Sequence, residues 1–357
     1  MRLKSFEFKG SGLSYERMDF HPWNLIVGGS GTGKTQLLRT IQSVFSTASY
    51  NHIRRPRGTW DCVFETIDGV EFKWQGQAKH DLPKALRTLE RESLSRDGQE
   101  VFTLEDGVLN LKGNISDNPP RAGSVLSTSG VPEIVEASKA LAKVTFSEGN
   151  RATHQILEPI PEDEVEQTVS SIEELRAKPY SALSKLCKAE GTGFEQLENV
   201  KDAFIECFPF VTGMKFFFNR QGDRRFPNFL IEEGGGSIDR TRTSSGMIRA
   251  LIHLAELHFS EDGTLFLIDE FENSLGANCI DQVTSWLMER RRGCQYIMTS
   301  HHPKVISEVP MKYWQILSRE GNVVTSKTAE QAGLGSSKHS AFLQLMNLKG
   351  FNEGPSN

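Results

Sequence analysis

The chain has 357 residues, 37% of them apolar and 24% charged, with 46 Asp and Glu against 41 Lys and Arg. This balance suits one large or two modest globular domains, and the net charge of −5 argues against a protein whose whole surface binds nucleic acid. No apolar run reaches the roughly 18 residues of a membrane span, since the nearest candidate, Phe204 to Phe218, is broken by Glu206, Pro209 and Lys215.

The N-terminus, Met1 to Phe8, alternates as a strand and lacks the apolar block of a signal peptide. A second strand, Asn24 to Val27, runs into Gly28-Gly29-Ser30-Gly31-Thr32-Gly33-Lys34-Thr35, which is the phosphate-binding pattern G-x-x-x-x-G-K-[ST] in its strand-then-helix context. Glycines 28, 31 and 33 let the backbone curl until its N–H groups face phosphates, and the helix beginning near Lys34 adds the positive end of its dipole. In this reading Lys34 reaches the terminal phosphates and Thr35 ligates Mg²⁺. Arg54, Arg55 and Arg57 follow that helix. Strands over 60–67 and 70–75 flank Asp68-Gly69, a two-residue hairpin signal, and Asp-Gly pairs at 97–98 and 106–107 continue an antiparallel meander to about Lys112 as a second sheet.

Gly113 to Ser129 reads as a loop. Helical patterns follow over 132–141, 171–177, 180–189 and 194–208, interrupted by Pro159, Pro161, Pro179 and the acidic 162–164. No heptad repeat survives these breaks, so a compact helical insertion is expected rather than a coiled-coil arm. Two β-rich runs, 214–219 and 228–232, lead through Gly234-Gly235-Gly236 and the cations Arg240 and Arg242 to Thr243-Ser244-Ser245-Gly246-Met247, which opens a helix over 248–257. Leu265 to Ile268 is a buried-strand run ending in Asp269-Glu270. Asp269 would hold Mg²⁺ or its water shell, and Glu270 would orient and deprotonate the attacking water; a solvated turn is the plain alternative, which the phosphate loop outweighs. Arg290 to Arg292 close the next helix, where cations suit its C-terminus. A further strand at 295–298 precedes Thr299-Ser300-His301-His302-Pro303, and an amphipathic stretch over 340–348 sets Phe342, Leu345 and Met346 on one side, to pack on its own domain or a partner. The five cysteines lack C-x-x-C spacing, so neither a disulfide framework nor a zinc site is indicated, and a reducing cytoplasm fits.

In these motifs and their order the chain resembles the ABC-type ATPases, within them the soluble RecF, SMC and OLD-like branch (AAA-21-like). The resemblance covers residues to about Gln77 and from Met214 to Ser318. It implies an α/β P-loop NTPase with an ABC-type head, a mixed parallel core sheet with an antiparallel meander, and a helical insertion. The expected divisions are an N-terminal lobe over 1–130, the insertion over 131–210, a C-terminal lobe over 211–320 and a tail over 321–357. The family's Leu-Ser-Gly-Gly-Gln signature survives at Ser244 and Gly246, while Thr243, Ser245 and Met247 depart from it. Phe271, Ser274, Gly276 and Ala277 depart from the loop that follows the acidic strand. By resemblance, Gly28, Gly31, Gly33, Lys34 and Thr35 cradle ATP, Thr35 and Asp269 hold Mg²⁺, and Lys34, Glu270 and His301 are catalytic. Ser244 and Gly246 would face the γ-phosphate held by a second copy, so that ATP joins two heads; an ordinary N-cap is the local alternative for Ser244. His301 takes the switch position, with His302 where the family has Ser. Gln75 and Gln77 are candidates for the family's glutamine loop, equally explicable as strand residues facing solvent.

OLD-like nucleases continue into a TOPRIM domain for which no room is left, and no other nuclease pattern is found. Stand-alone heads of this kind resemble ATPase components of anti-phage systems such as PARIS and Septu, implying a switch that controls a separately encoded effector, a nuclease or toxin. The alternatives are a RecF-like DNA-repair ATPase, with nucleic acid bound by the basic clusters, and an ATP-dependent scaffold with marginal hydrolysis. No membrane partner is expected.

Overall fold

The structure, a computed structural model, describes residues 1–49, 56–78, 89–116, 123–148, 158–289, 293–335 and 344. The chain divides into two compact units, one comprising Met1–Phe146, Gly263–Asp269 and Arg292–Asn357, the other Ser147–Asp262 and Glu270–Arg291.

The elements in chain order begin with β1 (Arg2–Gly10), β2 (Ser14–Asp19), β3 (Trp23–Val27), α1 (Lys34–Ser46), β4 (Gly58–Glu65), β5 (Glu71–Ala78), β6 (Leu89–Arg96), β7 (Gln99–Glu105), β8 (Val108–Leu111) and β9 (Asn114–Ser116). There follow α2 (Val125–Thr128), α3 (Pro132–Ala142), β10 (Val144–Glu148), β11 (Ile160–Pro161), α4 (Glu162–Glu166), α5 (Ile172–Ala177), α6 (Ala182–Ala189) and α7 (Glu195–Cys207). The remainder is β12 (Val211–Gln221), β13 (Arg224–Glu233), β14 (Gly236–Asp239), α8 (Ser245–Phe259), β15 (Leu265–Asp269), α9 (Ala277–Met288), β16 (Gln295–Thr299), α10 (Pro303–Glu308), β17 (Trp314–Glu320) and β18 (Val323–Thr328).

The first unit is built on a 14-stranded sheet ordered β10-β15-β16-β3-β17-β18-β2-β1-β4-β5-β6-β7-β8-β9. Strands β15, β16, β3 and β17 pair in parallel, and each of the first three is buried along its whole length, which is why they read as continuous apolar runs. From β1 outward the pairing is antiparallel and burial alternates, with Trp60, Cys62 and Phe64 of β4 and Phe72 and Trp74 of β5 facing the core. Helix α1 buries Leu37, Leu38, Ile41, Val44 and Phe45, one stripe at helical spacing. The second unit contains the β12–β13 hairpin, with β11 and β14 both paired to β13, and the helices α4 to α9.

Several expectations are modified. The meander is not a separate sheet, because β1 pairs with β2 on one edge and β4 on the other, making one continuous surface. Residues 323–328, assigned to a tail, form β18, which pairs antiparallel with β17 and parallel with β2. The presumed loop at 113–129 contains β9 and α2, and the acidic 162–164 starts helix α4 instead of breaking one. Of the helices expected between 131 and 210, α3 belongs to the first unit and α4 to α7 to the second. Asp97-Gly98 and Asp106-Gly107 both have positive φ at each residue, as two-residue turns require. At Asp68-Gly69 only Gly69 does, and the Thr66 N–H bonds to Val70 O, so that loop is a residue longer than expected. The amphipathic stretch over 340–348 lies outside the described residues, Gln344 apart. Among the described residues no helix is long and apolar enough to cross a membrane.

Candidate functional site

Strand β3 delivers the chain into the glycine-rich loop, and Gly33, with φ 97°, is the N-cap of α1. A Cβ there would lie 2.8 Å from Leu13 Cδ1, so only glycine fits both the backbone and the space. No side chain caps α1, which leaves its N-terminus open as an anion-binding end. The loop is held from several directions. Lys34 Nζ donates to Gly28 O at 2.8 Å and Gly29 O at 2.9 Å, and Thr32 Oγ1 donates to Gly29 O at 2.9 Å. The Tyr15 hydroxyl donates to Gly33 O at 3.0 Å. Burial pushes that hydroxyl's pKa well above the ordinary tyrosine value.

The parallel register aligns the strand ends around this loop. Ile268 pairs with Met298, and Thr299 with Ile26, so the residues at the ends of β15 and β16 reach the start of α1. Asp269 is 4% exposed, and its Oδ1 accepts from Thr35 Oγ1 at 3.0 Å and Thr299 Oγ1 at 2.8 Å. The structure therefore brings together Thr35 and Asp269, 234 residues apart and predicted as a metal pair. A hydroxyl beside a carboxylate supplies the hard oxygen donors Mg²⁺ prefers, and Mg²⁺ takes only one or two protein ligands when phosphates supply the rest. Among the described residues no group of three or more His, Cys, Asp and Glu is placed to hold a metal ion. Thr299 was not singled out from sequence, and its position at the end of a buried strand was the available signal.

Glu270 is exposed and has φ 47°, a left-handed conformation that is strained for a side-chain-bearing residue. Its Oε2 accepts from Asn273 Nδ2 at 3.0 Å, and its carbonyl accepts from the Asn273 N–H at 2.8 Å. Ser274 is left-handed as well, with φ 69°. In the same unit Ser244 caps α8, its Oγ accepting from the Met247 N–H at 3.3 Å, so the N-cap geometry is present. Gly246 lies against this turn: a Cβ on it would stand 2.4 Å from Ser274 O. The His253 ring on α8 packs against Phe271 with centroids 5.3 Å apart, and burial lowers its pKa.

His301 is exposed just beyond β16. Its neighbour His302 caps α10, Nδ1 accepting from the Lys304 N–H at 3.3 Å. Gln75 and Gln77 are on the polar face of β5, bonded to Asp61 at 2.6 Å and Glu90 at 3.3 Å. Lys34, Thr35, Asp269 and His301 belong to the first unit, whereas Ser244, Gly246 and Glu270 belong to the second. Arg54, Arg55 and Arg290 to Arg292 lie outside the described residues; Arg240 is half-buried and Arg242 exposed.

Among the described residues one carboxylate outside the predicted set is strongly displaced. Burial pushes Glu92 up to about 7, against the opposing hydrogen bonds from Ser124 Oγ, the Val125 N–H at 2.7 Å and Trp74 Nε1 at 2.9 Å.

The profile of a protein family described as "AAA domain, putative AbiEii toxin, Type IV TA system" matches residues 154–307. No curated protein matches the chain. Among solved structures, an SMC head bound to the C-winged helix domain of ScpA aligns with 93% of this chain and 99% of its own, at 14% identity and a TM-score of 0.56. A second, an SMC head with an extended coiled coil bound to the C-terminal domain of ScpA derived from Pyrococcus furiosus, covers 93% and 98% at 15% identity and a TM-score of 0.53. The fold is that of the SMC heads, an ABC-type P-loop ATPase fold with a mixed sheet, as the motif order implied.

Proposed function

We propose that this chain is a Mg²⁺-dependent ATPase whose ATP-bound form pairs with a second copy and acts as a switch on a separately encoded effector. The observation that carries the ATPase reading is the Thr35–Asp269 hydrogen bond of 3.0 Å at the open N-terminus of α1. Thr35 and Asp269 would hold Mg²⁺, which would offset the charge of the phosphates. Lys34 then exchanges the loop carbonyls for phosphate oxygens. Thr35 would offer its hydroxyl oxygen as a ligand to that metal, and Thr299, bonded to Asp269 Oδ1, would orient the carboxylate. Glu270, the next residue along, takes the proton of the attacking water, and His301 donates towards the γ-phosphate. Ser244 and the N–H groups at the start of α8 offer a second anion site for the partner copy's nucleotide.

The effector role has separate support. The control of an effector is supported by the toxin–antitoxin description of the family whose profile matches residues 154–307 and by the resemblance to stand-alone heads of anti-phage systems such as PARIS and Septu. The SMC heads of the same fold are seen bound to domains of ScpA, a separate protein, which makes a protein partner reasonable here. The departures at Thr243, Ser245 and Met247 favour a second reading, an ATP-dependent scaffold with marginal turnover.

The test combines turnover with sizing chromatography. Glu270→Gln is expected to keep ATP affinity, lose turnover by about a hundredfold or more and accumulate as an ATP-dependent dimer. Unchanged turnover removes Glu270 from the role of base. Negligible turnover by the unsubstituted protein, with dimerisation intact, selects the scaffold. Co-purification with its gene neighbours then reports the effector, and an ATP-dependent dimer that shifts only with DNA selects the RecF-like alternative.

A further inference from the structure

Strand β17 runs parallel to β3, and their last registered pair is Ile316 with Val27. Three residues further along both chains, β17 comes level with the glycine-rich loop and presents Arg319 there. Its cross-strand partner on β18 is Val324, whose Cγ2 stands 3.5 Å from where a Cβ of Gly33 would be. The guanidinium is fixed at two points: Nε donates to Gly321 O at 2.7 Å, and Nη1 donates to Gly31 O at 3.1 Å. Its field is felt at the loop, since it pulls down the pKa of Tyr15, whose hydroxyl bonds Gly33, against the larger effect of burial. Among the described residues Arg319 has no carboxylate partner, and its Nη2 makes no hydrogen bond.

A half-buried cation held only by carbonyl oxygens is incompletely neutralised, and a polyphosphate is the natural complement to such a group. Lys34 also donates to loop carbonyls, those of Gly28 and Gly29. The loop thus carries two cations on its own carbonyls, one from within the motif and one delivered from 285 positions further along the sequence (319 − 34). We propose that Arg319 is a phosphate-binding residue of the nucleotide site, donating a charge-assisted hydrogen bond to the polyphosphate of a nucleoside triphosphate. This rests on the ATP-binding reading above but is separable from it.

The experiment measures binding of a fluorescent ATP analogue with Mg²⁺, and its displacement by inorganic tripolyphosphate, for the unsubstituted protein, Arg319→Gln and Arg319→Lys. Arg319→Gln is expected to weaken ATP and tripolyphosphate alike by about tenfold or more. Arg319→Lys, which keeps the charge without the fork, should recover most of that loss. The dependence of affinity on salt should flatten in the Gln variant. Thermal unfolding of the nucleotide-free proteins is recorded alongside, and the Lys variant carries the comparison if the Gln variant does not fold. Affinities within twofold across the three proteins overturn the proposal while leaving ATP binding intact. A Lys variant as weak as the Gln variant assigns Arg319 a purely structural hold on Gly31 and also overturns it. An unsubstituted protein that binds no nucleotide removes the ATP-binding reading, and the role of Arg319 with it.

Discussion

Glu92 and His253 are both buried and titratable, and they couple stability to pH in opposite directions. The native pKa of Glu92, about 7, stands above the ordinary 4.5, so the folded state takes up protons more readily across that window. Its contribution is complete below about 4.5 and is lost as pH rises through 7. Glu92→Gln should therefore flatten the fall in thermal stability of the native protein over this interval, measured as Tm against pH; an unaltered profile would mean that Glu92 does not titrate there. His253 is lowered from 6.5, first by burial and then by the charge of Arg249. Its contribution is present above 6.5 and lost as pH falls below it, so His253→Leu should remove an acid-side decline in the same assay. Thr299 bears on the proposed metal site instead. Thr299→Val removes one of two hydroxyls on Asp269 Oδ1, and it is expected to raise the Mg²⁺ concentration needed for half-maximal turnover while leaving Mg²⁺-free ATP binding in place. Thr299→Ser should restore the wild-type Mg²⁺ requirement, and a Val variant with an unshifted requirement would leave Thr299 without that role.

At the scale of elements, the start of α8 and the turn after β15 are fitted to each other through Gly246 and Ser274. Gly246→Ala has to displace a backbone carbonyl that stands 2.4 Å from the new methyl, in a turn that already holds Glu270 and Ser274 at left-handed φ. Loss of about 1–3 kcal/mol of stability is expected, together with slower turnover; an alanine variant of unchanged Tm would show that the turn relaxes freely. What the sequence made legible is what local spacing controls. The phosphate loop, the buried runs of β3, β15 and β16, and the Asp-Gly turns at 97–98 and 106–107 are each set within a few residues. Strand β18 has no such local signature: Val323 to Thr328 is a short, half-exposed run whose identity as a strand comes from β17 on one edge and β2 on the other. The bonds of Thr299 to Asp269 and of Arg319 to Gly31 were illegible for the same reason, because strand register places those side chains and no spacing within a motif does.

At the scale of the whole molecule, a nucleotide that binds only the folded protein stabilises it by mass action, by about 2.7 kcal/mol at a hundredfold excess over its Kd. Adding ATP and Mg²⁺ is expected to raise Tm, and Lys34→Ala to abolish the rise; an equal rise in the variant would place the bound nucleotide elsewhere. The long-range order of the sheet has a consequence for synthesis. Gln315 Nε2 bonds Asp19 O across 296 residues, and β18 lies beside a β2 that left the ribosome long before it. At about 5–20 residues per second, tens of seconds separate the emergence of β2 from that of its neighbour. Through that interval β2 lacks its neighbour on one edge and β3 lacks both of its own, in a topology whose non-local pairing delays closure. Ribosome-arrested chains stopped before Val323 should accordingly be cleaved within β1 to β3 by a protease that spares chains extended past Thr328, and should draw on holdase chaperones that the longer chains no longer need.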